Sequence, residues 1–436
     1  MKQHVPIPGA KKRSGAALPL GDEVVIYGAG PLALLVLQAL SQRATKPVCV
    51  CVTGAADEPV VAKGRIGDIP VKPQSEARTA YPRATVIITT APARVASIKS
   101  DLQREGWQDV VDSSKILSCF DYDVRAPVTG ACWRDLEVLD DYFFEYFKVY
   151  HPSRVVLLSL DIVITERCSL RCRDCSNLMQ YYATPQDADW DELFAALDIL
   201  MSRVDHVMEL RVLGGESFMN PIACEYVRRL RQYSNYTRIA VYSNGTICPP
   251  HAHLGHLAHD DTYLRIADYG QLSRKTREIT AACDDLGVSY TFDVMPGWHD
   301  CALIQERARK NEELKTVYES CCANRLFTLL HGRLYPCPFS AHATNLGAIP
   351  FFPEDSVGVK GNIIEYDFSA WLKRCFQLSQ PLHACRYCAG RPVNVLPLPV
   401  AAQCSSPLHF TRAGAYRENA PTSKSTAKDE ARRITQ

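Results

Sequence analysis

Short apolar runs rich in β-branched residues alternate with amphipathic stretches along most of this chain, and that alternation predicts an α/β protein. Residues 24–28, 48–52, 85–90 and 109–112 read as strands, with helical patterns at 31–44 and 94–106 between them. They predict a small doubly wound parallel sheet over residues 21–120. Residues 1–20 are basic and Pro-bearing, and are expected to be mobile. Residues 121–154 read as a connector whose aromatic stretch, 142–150, is expected to pack between domains. A second series starts with a strand at 155–165 and continues at 209–213, 238–242, 263–267 and 289–294. Between them, Leu193, Leu197, Leu200 and Val204 recur at helical spacing, with Asp189 and Glu192 as a capping pair. The barrel-like unit is assigned to 155–300. Residues 301–410 change texture, with dense Cys, Pro and aromatic residues, and 411–436 are small or polar and expected to be disordered.

The charge balance removes several function classes. With 49 basic and 48 acidic residues the formal net charge is +1, so neither nucleic acid nor an anionic membrane is favoured as a partner. No apolar run approaches the roughly 18 residues that a spanning helix needs, and residues 1–20 lack a signal-peptide core. A cytoplasmic protein is therefore expected. Its 18 cysteines then point to clustered metal ligands instead of a disulfide framework.

Cys168-Ser-Leu-Arg-Cys172-Arg-Asp-Cys175 follows directly after a buried strand. Three thiolates on one loop can take three irons of a cubane and leave the fourth iron open to a small molecule. A zinc site lacking one ligand is the alternative, though zinc sites usually show paired C-x-x-C spacing. C-x-x-x-C-x-x-C after the first strand of a βα series resembles the radical S-adenosylmethionine (SAM) superfamily. The resemblance implies a 4Fe–4S cluster that binds SAM and cleaves it to a 5′-deoxyadenosyl radical, which removes a hydrogen atom from a substrate. Gly214-Gly215-Glu216 is similar to that family's Gly-Gly-Glu motif, whose Glu and backbone receive the SAM amino group. Ser217 stands where Pro is common. Tyr242-Ser243-Asn244-Gly245 resembles a cofactor-facing turn, with Ser243 and Asn244 as contacts, and Asp268 stands where a ribose contact is frequent. Asp174 replaces an aromatic residue common before the last cysteine. By themselves these are also ordinary turns.

A second cysteine group follows. Cys322, Cys337 and the pair Cys385-Arg-Tyr-Cys388 can close one four-thiolate site, for which structural zinc is the alternative. The spacing is similar to the C-terminal extension called SPASM or twitch. Only Cys404 follows Cys388, which fits the shorter twitch type with one auxiliary 4Fe–4S cluster. Cys321 and Cys375 are possible substitutes among the ligands. Cys224, Cys248, Cys283 and Cys301 are candidate hydrogen-atom donors or plain buried thiols.

Gly28-Ala-Gly30 joins a strand to a helix, where backbone amides can hold a phosphate. The second strand ends in Val52-Thr53-Gly54, without the acidic residue that grips a ribose, so NAD is not expected. The segment resembles Rossmann-like domains of surface-polysaccharide and nucleotide-sugar enzymes. The fold class expected is thus α/β: a Rossmann-like doubly wound domain, a partial (β/α)6 radical SAM barrel and a small Cys-rich twitch-type extension. The resemblance implies a small-molecule or nucleotide-linked sugar substrate, oxidised or epimerised at a C–H bearing an OH, and a flavodoxin- or ferredoxin-type reductant. A peptide-modifying maturase and a zinc-stabilised binding protein are the rival readings.

Overall fold

Strands made of continuous apolar residues must be covered on both faces, which is the condition of a parallel sheet packed between helices. The computed structural model contains one such sheet and a second, parallel over six strands, that packs helices on one face and carries charge on the other. It describes residues 4–6, 9–12, 20–41, 43–53, 64–66, 68–90, 92–117, 120–123, 127–129, 140, 154–295, 297–298, 302–360, 363–364, 368–377, 380–390 and 398–410. The aromatic stretch 142–150, Cys301 and the tail 411–436 lie outside them.

The first sheet is built from β1 (Val24–Tyr27), α1 (Pro31–Ser41), β2 (Cys49–Val52), β3 (Ile69–Pro73), α2 (Gln74–Ala80), β4 (Thr85–Ile88), α3 (Pro92–Arg104) and β5 (Val110–Asp112). Its parallel strands run β3-β2-β1-β4-β5, with the order reversing between β1 and β4. Val24, Ile26, Val50 and Ile87 pack with α1, while Val25, Cys51, Val86 and Ile88 pack with Trp107 on the opposite face. The sequence reading missed β3, which carries two prolines and lies near the sheet edge, where proline is tolerated. Residues 1–20 also contribute paired backbone. His4–Pro6 and Gly9–Lys12 form short strands, antiparallel to Pro127–Thr129 and Phe120–Asp123.

The second sheet follows. Its elements are β6 (Val156–Thr165), α4 (Trp190–Met201), β7 (His206–Gly214), α5 (Ala223–Leu230), β8 (Tyr236–Ser243), β9 (Thr262–Asp268), α6 (Thr276–Leu286) and β10 (Tyr290–Val294), then α7 (Asn311–Glu319), β11 (Leu326–Leu330), β12 (Arg333–Tyr335), α8 (Pro338–Asn345), β13 (Val357–Lys360), β14 (Ile363–Ile364) and α9 (Phe368–Gln377). The strand order is β10-β9-β8-β7-β6-β11-β12-β13-β14. Six strands are parallel, but the sixth, β11, sits beside the first of the series, β6, and not after β10. It comes from the region assigned to the Cys-rich extension. Asp189 caps α4 by accepting the Glu192 N–H at 2.8 Å.

Helices α4, α5 and α6 bury one face of this sheet through Leu193, Leu197, Val227 and Ile279. The other face carries charge at alternate positions, as the two-residue period of a strand allows. Buried Arg238 pairs with Glu209 at 2.7 Å and with Asp140 of the connector. The Tyr263 hydroxyl donates to Glu209 at 2.7 Å, and Arg265 Nε to Asp293 at 3.0 Å. Val156 and Met208, at the starts of β6 and β7, share a core with Val24, Ile26 and Leu35 of the first sheet. The first sheet therefore covers the end of the second where its strands begin. At about 3.3 Å per residue, the ten residues of β6 separate that end from the cysteine loop by roughly 30 Å.

Candidate active site

Strands β6 to β9 each deliver residues to one cavity of about 290 Å³. Cys168, Cys172 and Cys175 come from the loop after β6, Gly214 and Gly215 from β7, Tyr242, Ser243 and Asn244 from β8, and Ala267 and Tyr269 from β9. Asp161 and Arg211 reach it from within the sheet, and Trp298 adds a wall. The pairing of β6 with β7 shifts register between Val163 and Thr165, just before the cysteines. Such irregularities re-aim a chain at a site.

The two glycines serve the chain itself. A Cβ on Gly214 would lie 1.9 Å from the Thr165 carbonyl oxygen, and one on Gly215 would lie 2.4 Å from that of Arg167. The Gly215 and Glu216 N–H groups donate to those same carbonyls at 3.1 and 2.9 Å. The close approach these glycines allow here is one toward the cysteine loop. Glu216 is likewise tied to the chain itself. It is buried, and its carboxylate accepts from Asn244 N–H (2.6 Å), Ser243 Oγ (3.0 Å) and Phe218 N–H (3.2 Å). Burial pushes its carboxyl up to about 7, against the pull of those donors. Both oxygens hold the β8 turn in place, and Glu216 is not among the residues lining the cavity.

Asn244 completes this tie. Its Nδ2 donates to Ser169 Oγ at 3.1 Å and toward Cys168 Sγ at 3.7 Å. Asp268 does not line the cavity; its Oδ1 accepts the Gly270 N–H at 2.9 Å. Its neighbour Tyr269 does, with its ring edge-on to Trp298 at 5.6 Å. The sequence reading missed Tyr269, Trp298, Asp161 and Arg211. Asp174 accepts from its neighbour Arg173.

The donor set fits an iron–sulfur core. Burial pushes the Cys168 thiol well up, with nearby Cys175 adding to it, and burial and Cys175 push Cys172 up to about 12. Three crowded thiolates would be unfavourable alone, and soft thiolates suit the positive irons of a cubane. Among the described residues no three His, Cys, Asp or Glu side chains gather tightly enough for a single metal ion. A cubane offers separate irons to separate thiolates, so its ligands need not converge on one point.

The second cysteine group assembles in part. Burial and the neighbouring Cys337 and Cys388 push Cys385 well up. Arg309 holds this turn, donating to the Cys385 carbonyl at 2.8 Å and that of Cys388 at 2.6 Å. Cys322 is exposed, whereas Cys321 and Cys337 are half-buried and Cys375 is buried. Cys224 and Cys283 lie in the apolar core on the helix side, and Cys248 packs against it. Among the described residues, no cysteine beyond 168, 172 and 175 lines the cavity.

Among the described residues, neither Gly28 nor Gly30 lines the cavity next to their loop. The neighbouring cavity, about 250 Å³, is walled by Tyr27, Thr53, Gln74, Asp101, Leu102, Arg104 and Glu105. Two acids against one base make a poor phosphate site. No helix among the described residues is long and apolar enough to cross a membrane.

Fold and site together define a parallel α/β framework with a three-thiol cavity at the carboxyl ends of its strands, the usual position of ligand sites in such sheets. No protein-family model and no curated protein matches the chain. Among solved structures it is similar to BtrN in complex with AdoMet and 2-DOIA, at 14% identity over 42% of this chain and 74% of that one, with a TM-score of 0.31. It is also similar to anSMEcpe with bound AdoMet, at 13% identity over 50% and 80%, TM-score 0.33. A third is Streptococcus suis SuiB, at 13% identity over 56% and 72%, TM-score 0.25. At TM-scores this low, only the chain's own residues bear on its function.

Proposed function

We propose that this chain is a radical SAM enzyme that dehydrogenates a small polar substrate, with a sugar alcohol carbon as the favoured target. The observation that carries this is one cavity holding Cys168, Cys172 and Cys175 beside the Gly214-Gly215 and Ser243-Asn244 turns. In this reading the three thiolates hold a 4Fe–4S cluster whose open iron takes SAM. Cys337, Cys385 and Cys388, with Cys321, Cys322 or Cys375 as the fourth, hold an auxiliary cluster. When bound, these groups supply hydrogen-atom abstraction from a C–H and a one-electron acceptor, so that the C–H and O–H hydrogens leave and a ketone remains.

The chain's own part is to hold and orient. Tyr269 and Trp298 wall the cavity near the thiols. Asp161, Arg211 and Tyr242 offer an acceptor, a cation and a hydroxyl to a hydroxylated substrate. Arg211 is fixed by Glu209 at 2.6 Å, and Arg265 donates to the Tyr242 hydroxyl at 3.0 Å. Burial alone would raise Glu209, but Arg238 and Arg211 outweigh it and hold it well below the usual carboxylate range. A charged floor of this kind suits polar groups on the ligand. Dehydrogenation is favoured over epimerisation, which needs a hydrogen atom returned, because the auxiliary-cluster cysteines stand out in the sequence and no particular donor cysteine does.

The first sheet is read as a Rossmann-like domain that serves assembly. It lies at the far end of β6 from the thiols, and its cavity is acidic. A cytoplasmic location and a flavodoxin- or ferredoxin-type reductant belong to the same reading.

The test is iron and acid-labile sulfide analysis of anaerobically purified protein, followed by reduction with SAM present. Wild type should release 5′-deoxyadenosine. Changing Cys168, Cys172 and Cys175 together to Ala should abolish that release and leave the auxiliary iron. Zinc in place of iron, or an active triple variant, sinks the assignment. The product should be two mass units lighter than substrate; a cross-linked peptide product would establish the maturase reading instead.

A further inference from the structure

Residues 398–410 fold back over the loop that carries the first three cysteines. Arg173 N–H donates to the Ala402 carbonyl and Cys404 N–H to that of Arg171, both at 2.7 Å. Cys172 and Gln403 form an isolated antiparallel bridge. The Leu408 N–H donates to the Gln180 carbonyl at 2.8 Å, and Phe410 lies edge-on to Tyr181 at 5.9 Å. The segment is therefore anchored within the cysteine loop and again just after it.

At the centre of this clasp is the side chain of Gln403. Its Oε1 accepts the Arg171 N–H at 2.9 Å. Its Nε2 donates to the Ala401 carbonyl at 2.7 Å and to Cys172 Sγ at 3.2 Å. The orientation is fixed by this set of partners. Turned over, the amide would set oxygen against a carbonyl and a thiolate, and nitrogen against an N–H.

We propose that Gln403 is a positioning residue that sets the reduction potential of the cluster held by Cys172. This rests on the radical SAM reading above. One-electron reduction adds negative charge that is shared with the ligating sulfurs. An N–H aimed at such a sulfur stabilises the reduced form more than the oxidised one, and hydrogen bonds to sulfur are among the determinants of cluster potential. Asn244 makes the matching but longer contact at Cys168, 3.7 Å away. The two amides thus favour electron entry at the site where SAM would be cleaved.

The experiment is an EPR-monitored redox titration of the SAM-responsive cluster in wild type, Gln403→Met and Gln403→Glu. Met fills a similar volume without a donor; Glu replaces the donor with negative charge. Both midpoints should move to more negative potential, Glu further than Met. A tenfold weaker reduction equilibrium corresponds to about 59 mV for a one-electron couple. Variants that keep their iron and their wild-type midpoint overturn the proposal. Wild-type protein labelled with 15N only in glutamine side-chain amides supplies a second reading. Pulsed EPR of the reduced cluster should show a nitrogen coupling, and its absence overturns the proposal even if a variant fails to retain iron. A wild type with no SAM-responsive cluster would instead overturn the radical SAM reading itself.

Discussion

Two glycine loops in this chain look alike on paper. Gly28-Ala-Gly30 and Gly214-Gly215-Glu216 each follow a parallel strand and precede a helical turn. Their surroundings differ. Around Gly30 nothing lies within 4 Å of where a Cβ would be, and Gly28 is needed for its φ of +103° beside Thr89. At Gly214 and Gly215 the added carbon would strike backbone of the cysteine loop. The first loop turns a strand into a helix. The second lets two loops share hydrogen bonds at a distance no side chain permits, and so fixes Cys168. A glycine pair therefore says that something is close, and only the packing says whether that is ligand or chain.

The largest effect is expected from Gly215→Ala. Its Cβ would sit 2.4 Å from the Arg167 oxygen and 2.7 Å from Cys168 Cβ, so the cysteine loop must move. Overpacking of this kind costs roughly 1–3 kcal/mol, and here the displaced atoms carry a thiol that the proposed function makes a cluster ligand. The variant should lose one cluster's worth of iron and all 5′-deoxyadenosine formation, while the auxiliary iron stays. Iron analysis with the SAM-cleavage assay checks this. Wild-type iron and activity would break the contrast between the loops.

Much of this contrast was within reach of the sequence, and the rest was not, for definite reasons. Strands β1, β2, β4 and β6 were legible as nearly continuous apolar runs, and β7 to β10 as short apolar or β-branched runs broken by charge on one face. That the three cysteines share one cavity was legible because their spacing is local. β11 was not: it is an ordinary apolar run, and its place beside β6 depends on pairing across more than 160 residues. The charged inner face left a signal that went unread, namely Glu209 and Arg211 two apart among the apolar residues of 207–213. Gln403 could not be found by spacing, since 231 residues separate it from Cys172. Glu216 was singled out in this loop, but its ties to Ser243 and Asn244 were not, because a sequence does not show which way a buried carboxylate is tied.

A middle-sized effect sharpens that last point. Burial holds the Glu216 carboxyl at about 7, above its ordinary value of 4.5. Below about pH 4.5 the group is protonated in both folded and unfolded chains. Between there and pH 7 the folded chain binds more protons, so this contribution to stability falls as pH rises. The whole span is worth on the order of 3 kcal/mol. Glu216→Gln removes the titration, so stability of wild type relative to the variant should decline between pH 5 and pH 8. Buried His342, lowered to about 4 by burial, titrates in the opposite sense but is present in both proteins and cancels. Denaturant midpoints at the two pH values provide the check. A difference that does not change with pH would mean that the three donors around Glu216 keep it ionised throughout.

The smallest effect is expected at the first loop, from Gly30→Ala. The position has room for a methyl group and no positive φ. Replacing glycine stiffens the unfolded chain, which favours folding by about 0.4–1 kcal/mol. Opposing this, Gly30 accepts the Ala33 N–H at 2.9 Å and so stands at the entry of α1, where alanine is a poorer cap than glycine by a similar amount. The two contributions should nearly cancel, leaving stability within roughly 0.5 kcal/mol of wild type. Function gives the sharper reading. If the loop only joins β1 to α1, turnover of the true substrate should also be unchanged, since the thiols lie at the other end of β6. If its amides instead cradled a phosphate, the new methyl group would stand where that phosphate must approach. KM would then rise with stability unaltered, and the first sheet would have to be assigned a share in substrate binding.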